Sequence, residues 1–300
     1  MTEISLTARV ALVKTDDRVA GVRAAVSLLG INPAAGRDTV VKPNCNTADP
    51  GPGSTHGDTL EALLALLREM GATGLAVADR SGPADTEQVF RAKGLEPLCA
   101  RHGARLVNLD ALPPDQWLRV RPPGSHWRDG FDVARPVVEA ACSVSVCCLK
   151  THGFGGVFTL SLKNTVGIVH RRHMRELHAS FISMRRMIAE VNTAWTPDLV
   201  VVDGVEAFVD GGPMTGKLAH PGVILAGTDR VAVDAVGLAV LKSVGANRAI
   251  AGRKIFAQGQ ISRAVELGLG VAGPAQIELV AGDAASAGCA EALRGILDRG

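Results

Sequence analysis

The sequence contains no tyrosine and few other aromatic residues, which limits the kinds of surface it can form. Only 3% of its 300 residues are aromatic, and its 32 basic and 30 acidic residues leave a formal net charge of +2. Nucleic-acid-binding surfaces combine clustered basic charge with rings on which bases stack, and neither is abundant here. We therefore expect no nucleic acid partner.

Long apolar runs, clustered cysteines and an export signal are also missing. No stretch reaches the roughly 18 apolar residues that a membrane span needs, and Met1–Val13 lacks a basic region followed by an apolar run. The six cysteines include no C-x-x-C pair, which is typical of reduced thiols. We expect a cytoplasmic protein without a membrane partner, in which Cys147 and Cys148 are small buried apolar residues.

Aliphatic residues are abundant, and their pattern predicts the fold class. Hydrophobic residues make up 47% of the chain, and over residues 1–110 short β-rich runs alternate with amphipathic stretches. This alternation predicts βαβ units with right-handed crossovers. We expect one compact α/β unit over residues 1–300, a three-layer sandwich with a mostly parallel sheet and helices on both faces, which leaves room for a smaller second lobe.

The predicted elements follow one another along the whole chain. Strands are predicted at Val10–Lys14, Thr39–Lys42, Leu75–Ala78, Arg105–Leu109, Ser143–Leu149, Leu199–Val202, Val223–Ala226 and Ile277–Ala281. Helices are predicted at Arg18–Leu29, Thr55–Met70, Thr86–His102 with a break at Gly94, Ser183–Trp195, Asp229–Val244 and Ala285–Leu297. The segment Ala111–Asp132 is predicted to be a loop with at most one edge strand, either a lid or a contact between the subunits of a homo-oligomer.

Polar residues follow several of these strands directly, where ligands bind in open α/β sheets. Lys42 follows one apolar run and Lys150 another, so their ammonium groups are expected to form a clamp for an anion. Solvated lysines at strand ends are the ordinary alternative, and the equivalent positions of the two favour the clamp. Five such segments stand out: Lys42-Pro43-Asn44, Asp79-Arg80-Ser81-Gly82, Lys150-Thr151-His152, Asp203-Gly204 and Gly227-Thr228-Asp229.

Two further segments carry residues that could bind a ligand or take part in catalysis. Glycines in Gly153–His170 surround Lys163 and Asn164, where they could bring backbone amides close to a ligand or simply form a flexible loop. Asp203 and Asp210, the latter followed by Gly211 and Gly212, could serve as a general base or bind magnesium, or could cap turns. Asp229 is predicted to cap a helix.

A divalent metal site is a weaker possibility. His170, His173 and His178 lie within nine residues, and the first two would share a helical face. Their spacing lacks the interposed glutamate of zinc-protease helices, and the neighbouring arginines favour an exposed basic stretch. The candidate ligands are therefore these three histidines and Asp210.

Taken together, the motifs resemble those of the domain of unknown function 362 family. The matching segments, in order, are Val41-Lys42-Pro43-Asn44, Val77-Ala78-Asp79-Arg80-Ser81-Gly82, Leu149-Lys150-Thr151-His152, Ser161-Leu162-Lys163-Asn164-Thr165-Val166-Gly167, Val201-Val202-Asp203-Gly204, Gly211-Gly212-Pro213 and Asp229-Arg230-Val231-Ala232-Val233-Asp234. The resemblance implies an α/β fold and a site within residues 38–240, followed by a C-terminal strand and helix over residues 275–300.

The resemblance also bears on cofactors. Many members of that family carry an iron–sulfur insertion, but this sequence lacks clustered cysteine ligands, so no iron–sulfur cluster is expected. The layout is more loosely similar to the substrate domain of nickel-pincer lactate racemases, which use lysine and histidine around a carboxylate. Whether this chain uses a divalent metal stays open.

These observations lead to two functional hypotheses. The first is an isomerase or lyase that binds a small carboxylate or phosphate, with Lys150, His152, Lys163 and Asp203 catalysing proton transfers. The second is a protein that binds such an anion without catalysis. Lys42, Lys150, His152 and Asp203 are expected to line one pocket, with Gly153 to Gly167 as its wall. Substrate binding is assigned to Lys42, Asn44, Asp79, Ser81, Thr151, Asn164, Gly211 and Gly212.

Overall fold

A ten-stranded sheet forms the centre of the protein, and helices pack against both of its faces. The computed structural model describes residues 7–300, so the first six residues of the predicted unit lie outside the described residues. The strands are β1 (Ala8–Lys14), β2 (Asp38–Lys42), β3 (Gly74–Asp79), β4 (Ala104–Asn108), β5 (Trp117–Val120), β6 (Phe131–Ala134), β7 (Cys142–His152), β8 (Val157–Thr159), β9 (Leu199–Gly211), β10 (Gly216–Ala219), β11 (Val223–Gly227) and β12 (Ile277–Val280).

The helices connect these strands or flank them. They are α1 (Arg18–Leu29), α2 (Gly57–Glu69), α3 (Thr86–Ala92), α4 (Leu95–Arg101), α5 (Arg135–Val138), α6 (Ser161–Asn164), α7 (Met174–Leu177), α8 (Phe181–Val191), α9 (Arg230–Ser243), α10 (Arg248–Ala251), α11 (Gly259–Glu266) and α12 (Ala284–Arg299). No helix among the described residues is long and apolar enough to cross a membrane.

The strand order confirms the expected α/β fold with a mostly parallel sheet. Eight strands follow the order β12-β1-β11-β9-β7-β2-β3-β4, and only β11 runs against its neighbours. The short strands β8 and β10 add antiparallel pairs to β7 and β9, while β5 and β6 form a separate two-stranded sheet. One apolar cluster includes residues of α1 and α2, and another on the opposite face includes residues of α9 and α12.

Three details differ from the sequence prediction. The strand that was expected to end at Val202 continues to Gly211, because apolar residues resume after Gly204 and pair with β10. The strand β11 is antiparallel, so Gly227–Asp229 lies at the edge opposite the predicted site, where Asp229 caps α9 as expected. The segment Ala111–Asp132, predicted as a loop with at most one edge strand, contributes β5 and also the first two residues of β6, with which β5 pairs.

The short helix α6 is held in place by a buried aspartate of α9. The backbone N–H groups of Ser161 and Leu162 donate to Asp234 over 2.8 and 3.0 Å, and the Ser161 hydroxyl donates over 2.6 Å. Asp234 is completely buried, and this burial raises the pKa of its carboxyl to about 7. The position of α6, which carries Lys163 and Asn164, therefore depends on this side chain.

Replacement of that aspartate should destabilise the whole protein. Asp234→Ala leaves three buried donors without their acceptor, which should lower the free energy of unfolding by about 2–4 kcal/mol. Urea unfolding followed by circular dichroism measures the change. The matched control is Asp298→Ala, which removes an exposed carboxylate 3.9 Å from Arg294 and should change stability by less than about 0.5 kcal/mol. Equal effects of the two variants would contradict this role of Asp234.

Candidate functional site

A cavity of about 700 Å³ opens where the parallel strands β2, β3 and β7 end. Lys42 is the last residue of β2 and Asp79 the last of β3, while Lys150 and His152 lie near the end of β7. The opposite wall comes from β8 and α6, which contribute Thr159, Lys163 and Asn164. The carboxyl ends of these parallel strands thus bring several predicted site residues together, as the strand-end pattern predicted.

A buried ion pair forms the floor of the cavity. The Lys42 ammonium lies 2.7 Å from Asp79 Oδ1, and both side chains are at most 2% exposed. Asp79 also accepts hydrogen bonds from the backbone N–H groups of Cys45 and Arg80, each over 2.7 Å. Burial raises the pKa of Asp79, and the Lys42 charge opposes that shift.

Two asparagines link the ion pair to the second lysine. Asn164 Oδ1 accepts from the Lys42 ammonium over 3.1 Å, and its amide nitrogen donates to Ser145 Oγ over 3.0 Å. Asn44 Oδ1 accepts from Lys150 over 3.2 Å, and the Gly53 carbonyl also accepts from that ammonium. These partners of Lys150 are neutral, and burial lowers its pKa.

The side chains of Lys163 and His152 differ from those of Lys42, Asp79 and Lys150 because both lack hydrogen-bond partners among the described residues. Within residues 7–300 no hydrogen bond or ion pair involves the half-buried Lys163 ammonium, and His152 Nδ1 is buried without a partner. Burial, reinforced by the charges of Lys150 and Lys42, lowers the pKa of Lys163 to about 7. Burial and the Lys163 charge lower the pKa of His152 to about 2, so its imidazole is neutral.

Gly156 allows these two side chains to approach each other. A Cβ at this position would lie 2.9 Å from His152 Nδ1 and 3.1 Å from Lys163 Cε, which is closer than side-chain atoms tolerate. Any larger residue would therefore displace one of the two. Thr159 Oγ1, also in the cavity wall, is another buried polar atom without a partner among the described residues.

The mouth of the cavity is apolar, in contrast to its floor. Phe154 and Phe181 are 55% and 57% exposed although both line the cavity, and Met174 and Met214 lie with them. Gly155, with a φ of 82°, packs against the Phe181 ring. The site therefore offers cations at depth and apolar contacts near solvent.

The model of the family described as Domain of unknown function (DUF362) matches residues 39–239. This chain belongs to that family. A solved structure, that of the lactate racemase apoprotein from Thermoanaerobacterium thermosaccharolyticum, is similar in fold at 16% identity with a TM-score of 0.48. The match covers 67% of this chain and 50% of that chain, so the DUF362 chain spans about half the length of that relative. No curated protein matches.

In this DUF362 chain, the cavity brings together most of the residues singled out from the sequence. Lys42, Lys150 and His152 line one cavity as expected, and the segment expected to form its wall contributes Phe154, Thr159, Lys163, Asn164, Val166 and Gly167. The predicted site residues that line the cavity are Lys42, Asn44, Asp79, Lys150, His152, Lys163 and Asn164, together with the metal candidate His178.

Asp203 does not line this cavity, and the expectation that it would is wrong. Its Oδ2 accepts from Arg18 of α1 over 2.9 Å and from Thr59 of α2 over 2.6 Å. The physical reason is the continuation of β9 past Asp203, which directs the carboxylate toward the helices on the other face of the sheet.

Other predicted ligand-binding residues lie behind the cavity wall. The Ser81 hydroxyl donates to the Cys45 carbonyl over 2.8 Å, and Thr151 Oγ1 is buried without a partner among residues 7–300. Gly211 and Gly212 have φ values of 77° and 75°, and a Cβ at Gly212 would lie 2.1 Å from the Thr151 carbonyl. These two glycines allow the turn before Pro213 to pack against the end of β7.

The candidate metal ligands are dispersed over the structure. His173 is paired with Asp132, His170 Nδ1 accepts from the Arg172 N–H over 3.1 Å, and Asp210 accepts from Asn247 over 3.1 Å. The remaining candidate, His178, donates from Nδ1 to the Met174 carbonyl over 2.7 Å. Over residues 7–300 no group of three His, Cys, Asp or Glu side chains is placed to hold a metal ion.

Several cavity residues were not assigned from the sequence. Arg80 follows Asp79 and was visible as part of a strand-end motif, but its buried guanidinium donates to the carbonyls of Val169, Ser81 and Val166. Arg171 lies at the rim in an ion pair with Asp110 over 2.5 Å. No sequence pattern marks Phe154, Phe181 or Met214 as site residues, because only tertiary packing brings them to the cavity.

The floor of the site should not tolerate a side chain at Gly167. A Cβ there would lie 2.5 Å from both Lys42 Nζ and Asp79 Oδ1, so Gly167→Ala forces the ion pair apart. We expect a loss of about 1–3 kcal/mol in the free energy of unfolding, measured by urea titration. The control, Gly288→Ala on the exposed face of α12, meets nothing within 4 Å and should stabilise by about 0.5–1 kcal/mol. A neutral effect at Gly167 would contradict the described packing.

The amine of Lys163 should titrate near neutrality. Trace acetylation across a pH series, followed by peptide mass spectrometry, should show labelling of Lys163 that rises with a midpoint near pH 7. The direction follows because only the free amine reacts, and a lowered pKa exposes it at lower pH than an ordinary lysine, whose pKa is about 10.4. A midpoint above pH 9 for Lys163 would show that the neighbouring charges do not act as described.

Proposed function

We propose that this protein is an enzyme that binds a small metabolite bearing a carboxylate or phosphate and moves protons on it, as an isomerase or a lyase. One observation carries the proposal. Three lysines and a neutral histidine line a single cavity in which, over residues 7–300, Asp79 is the only lining carboxylate. Because a buried cation without a counter-charge is costly, a cavity of this composition favours an anion.

The binding role belongs to the lysine that is fixed but not neutralised. Lys150 is completely buried, and the Asn44 and Gly53 oxygens that hold it carry no net charge. Its positive charge is therefore available to an anion. Lys42 is neutralised by Asp79 and contributes by positioning Asn164, whose Oδ1 accepts from it.

The chemical role belongs to the two groups without partners. An amine with a pKa of about 7 exists in both protonation states at neutral pH, as general acid–base catalysis requires. The neutral imidazole of His152 lies beside it and can carry a proton once the charge of a bound anion favours its protonated form. Asp203, which contacts α1 and α2 instead, has no part in this scheme.

A binding protein without catalysis is the second candidate, and one observation favours it. Lys42 and Lys150 are completely buried and already have fixed partners, so the floor of the cavity is organised before any ligand arrives. Such preorganisation serves tight binding as well as catalysis. The two candidates differ in whether the bound anion exchanges protons with the protein.

Deuterium exchange separates these candidates. Short hydroxy- and oxo-carboxylates and phosphate esters are incubated with the protein in D2O, and incorporation at carbon is followed by NMR. We expect incorporation whose rate increases through pH 7 as Lys163 loses its proton, and at least about a hundredfold loss in Lys163→Met.

The matched control is Lys217→Met, which changes an exposed lysine of β10 and should leave the exchange rate unchanged. Compounds that bind, as measured by calorimetry, with affinity that depends on Lys150 but are recovered without deuterium would favour the binding protein. Exchange that persists in Lys163→Met would exclude the proposed role of Lys163.

A further inference from the structure

We infer that Lys163 is a nucleophile that forms an imine with the carbonyl carbon of an anionic aldehyde or ketone, such as a short 2-oxo acid. This inference deepens the proposed function, since it rests on the same cavity and names the class of substrate. It assigns a covalent step to a side chain that the acid–base proposal uses only for proton transfer. The argument starts from a comparison of the three lysines in the cavity.

Hydrogen bonds hold two of these lysines as ammonium ions and leave the third free. Lys42 donates to Asp79, Asn164 and the Pro43 carbonyl, and Lys150 donates to Asn44 and the Gly53 carbonyl. Each of these acceptors stabilises a protonated donor and occupies the position from which the amine would attack. No such acceptor contacts Lys163 among the described residues, so its nitrogen lone pair is available once the proton leaves.

The charges around Lys163 favour loss of that proton. Lys150, Lys42 and Arg80 all act on it in the same direction, and among residues 7–300 no carboxylate contributes an opposing effect. A lysine whose neighbours are cations and whose surroundings are desolvated is activated in the way that imine-forming enzymes require. At neutral pH about half of the Lys163 side chains carry a free amine, given a pKa of about 7.

The position of Lys163 is fixed by the fold. Asp234 of α9 binds the start of α6, and Asn192 at the end of α8 donates to the Leu162 carbonyl over 2.9 Å. These two contacts hold the backbone on the N-terminal side of Lys163. Gly156 leaves space beside Lys163 Cε. A lysine whose backbone is held in the wall of this cavity can present its amine to a carbonyl whose charged group is bound by Lys150.

The covalent step balances without an added oxidant or reductant. The free amine attacks the carbonyl carbon, and a C–N bond forms while the carbonyl oxygen accepts a proton to give a carbinolamine. The two protons of the amine and the carbonyl oxygen leave as water, and a C=N bond remains. Once protonated, the imine withdraws electrons from the adjacent carbon, so a C–H or C–C bond there can break, as isomerases and lyases require.

His152 is placed to assist the loss of water. Its Nδ1 has no partner among the described residues, and a Cβ at Gly156 would lie 2.9 Å from this atom and 3.1 Å from Lys163 Cε. The hydroxyl of a carbinolamine formed on Lys163 can donate a hydrogen bond and accept one, so it could serve as the missing partner of His152 Nδ1. The second orphaned polar atom in the cavity wall, Thr159 Oγ1, could hold the same hydroxyl or the departing water.

The test is reductive trapping on the full chain. The protein is incubated at pH 7 with pyruvate, or with pyridoxal 5′-phosphate as an anionic aldehyde, and sodium cyanoborohydride or borohydride reduces any imine to a stable secondary amine. Peptide mass spectrometry then locates the adduct. We expect Lys163 to be modified at least about tenfold faster than the exposed Lys217, and excess inorganic phosphate to slow only the modification of Lys163.

Two variants keep the experiment interpretable. Lys163→Arg retains a positive charge and should fold but form no adduct in the cavity, whereas Lys217→Arg should leave the modification of Lys163 unchanged. Modification of Lys163 no faster than that of Lys217, with either probe, would overturn the inference. If deuterium exchange nevertheless continued, the acid–base function would stand without an imine; if exchange were also absent, the proposed function would fail as well.

Discussion

The constraint on which this site depends is the placement of two buried lysines and a half-buried third around Asp79, the single carboxylate that lines the cavity over residues 7–300. Moving a cation from water into a protein interior costs several kcal/mol unless it is compensated, and lysine is rarely buried without a partner. The three side chains meet this cost in three different ways. Lys42 pairs with Asp79, Lys150 is solvated by protein oxygens, and Lys163 avoids the cost by losing its proton for part of the time.

The sheet makes this arrangement possible because β7 extends beyond β2. Lys42, the last residue of β2, is in register with Ser145, whereas Lys150 lies five residues further along β7. The pairing of β7 with β9 shifts between Cys148 and Lys150, and from there β7 pairs with β8. The overhanging end of β7 therefore forms one wall of the cavity, and β8 turns back from it to place α6 on the other side.

Much of this architecture could be predicted from the sequence because it depends on local patterns. Apolar runs followed by Lys42 and Lys150 identified both the strands and the ends that meet at the cavity, and Asp229 was recognised as a cap. The direction of β11 could not be predicted in the same way, because it depends on the antiparallel pairing of β10 and β11 with β9, and a glycine-rich segment does not indicate that pairing. Asp203 was misplaced for a related reason, since Gly204 resembles a strand end but lies within β9.

The residues at the cavity mouth show a different limit of prediction from sequence. Phe154 follows β7 and Phe181 begins α8, so they are far apart in sequence and neither belongs to a periodic pattern. Both line the cavity mouth, where Gly155 lets the loop after β7 pack against the Phe181 ring. Contacts of this kind depend on the assembled fold, and a glycine-rich loop read from sequence does not reveal which ring it will meet.

The unpaired groups link ligand binding to protonation. In the empty cavity, burial and mutual repulsion lower the pKa of both Lys163 and His152. An anion bound at Lys150 offsets these charges, so it must raise both pKa values, and by linkage the protonated forms must bind the anion more tightly. Under the proposed function, uptake of a proton therefore accompanies the binding of an anion. A catalyst of proton transfer gains from this coupling, because more of its acid form is present when a bound molecule can receive the proton.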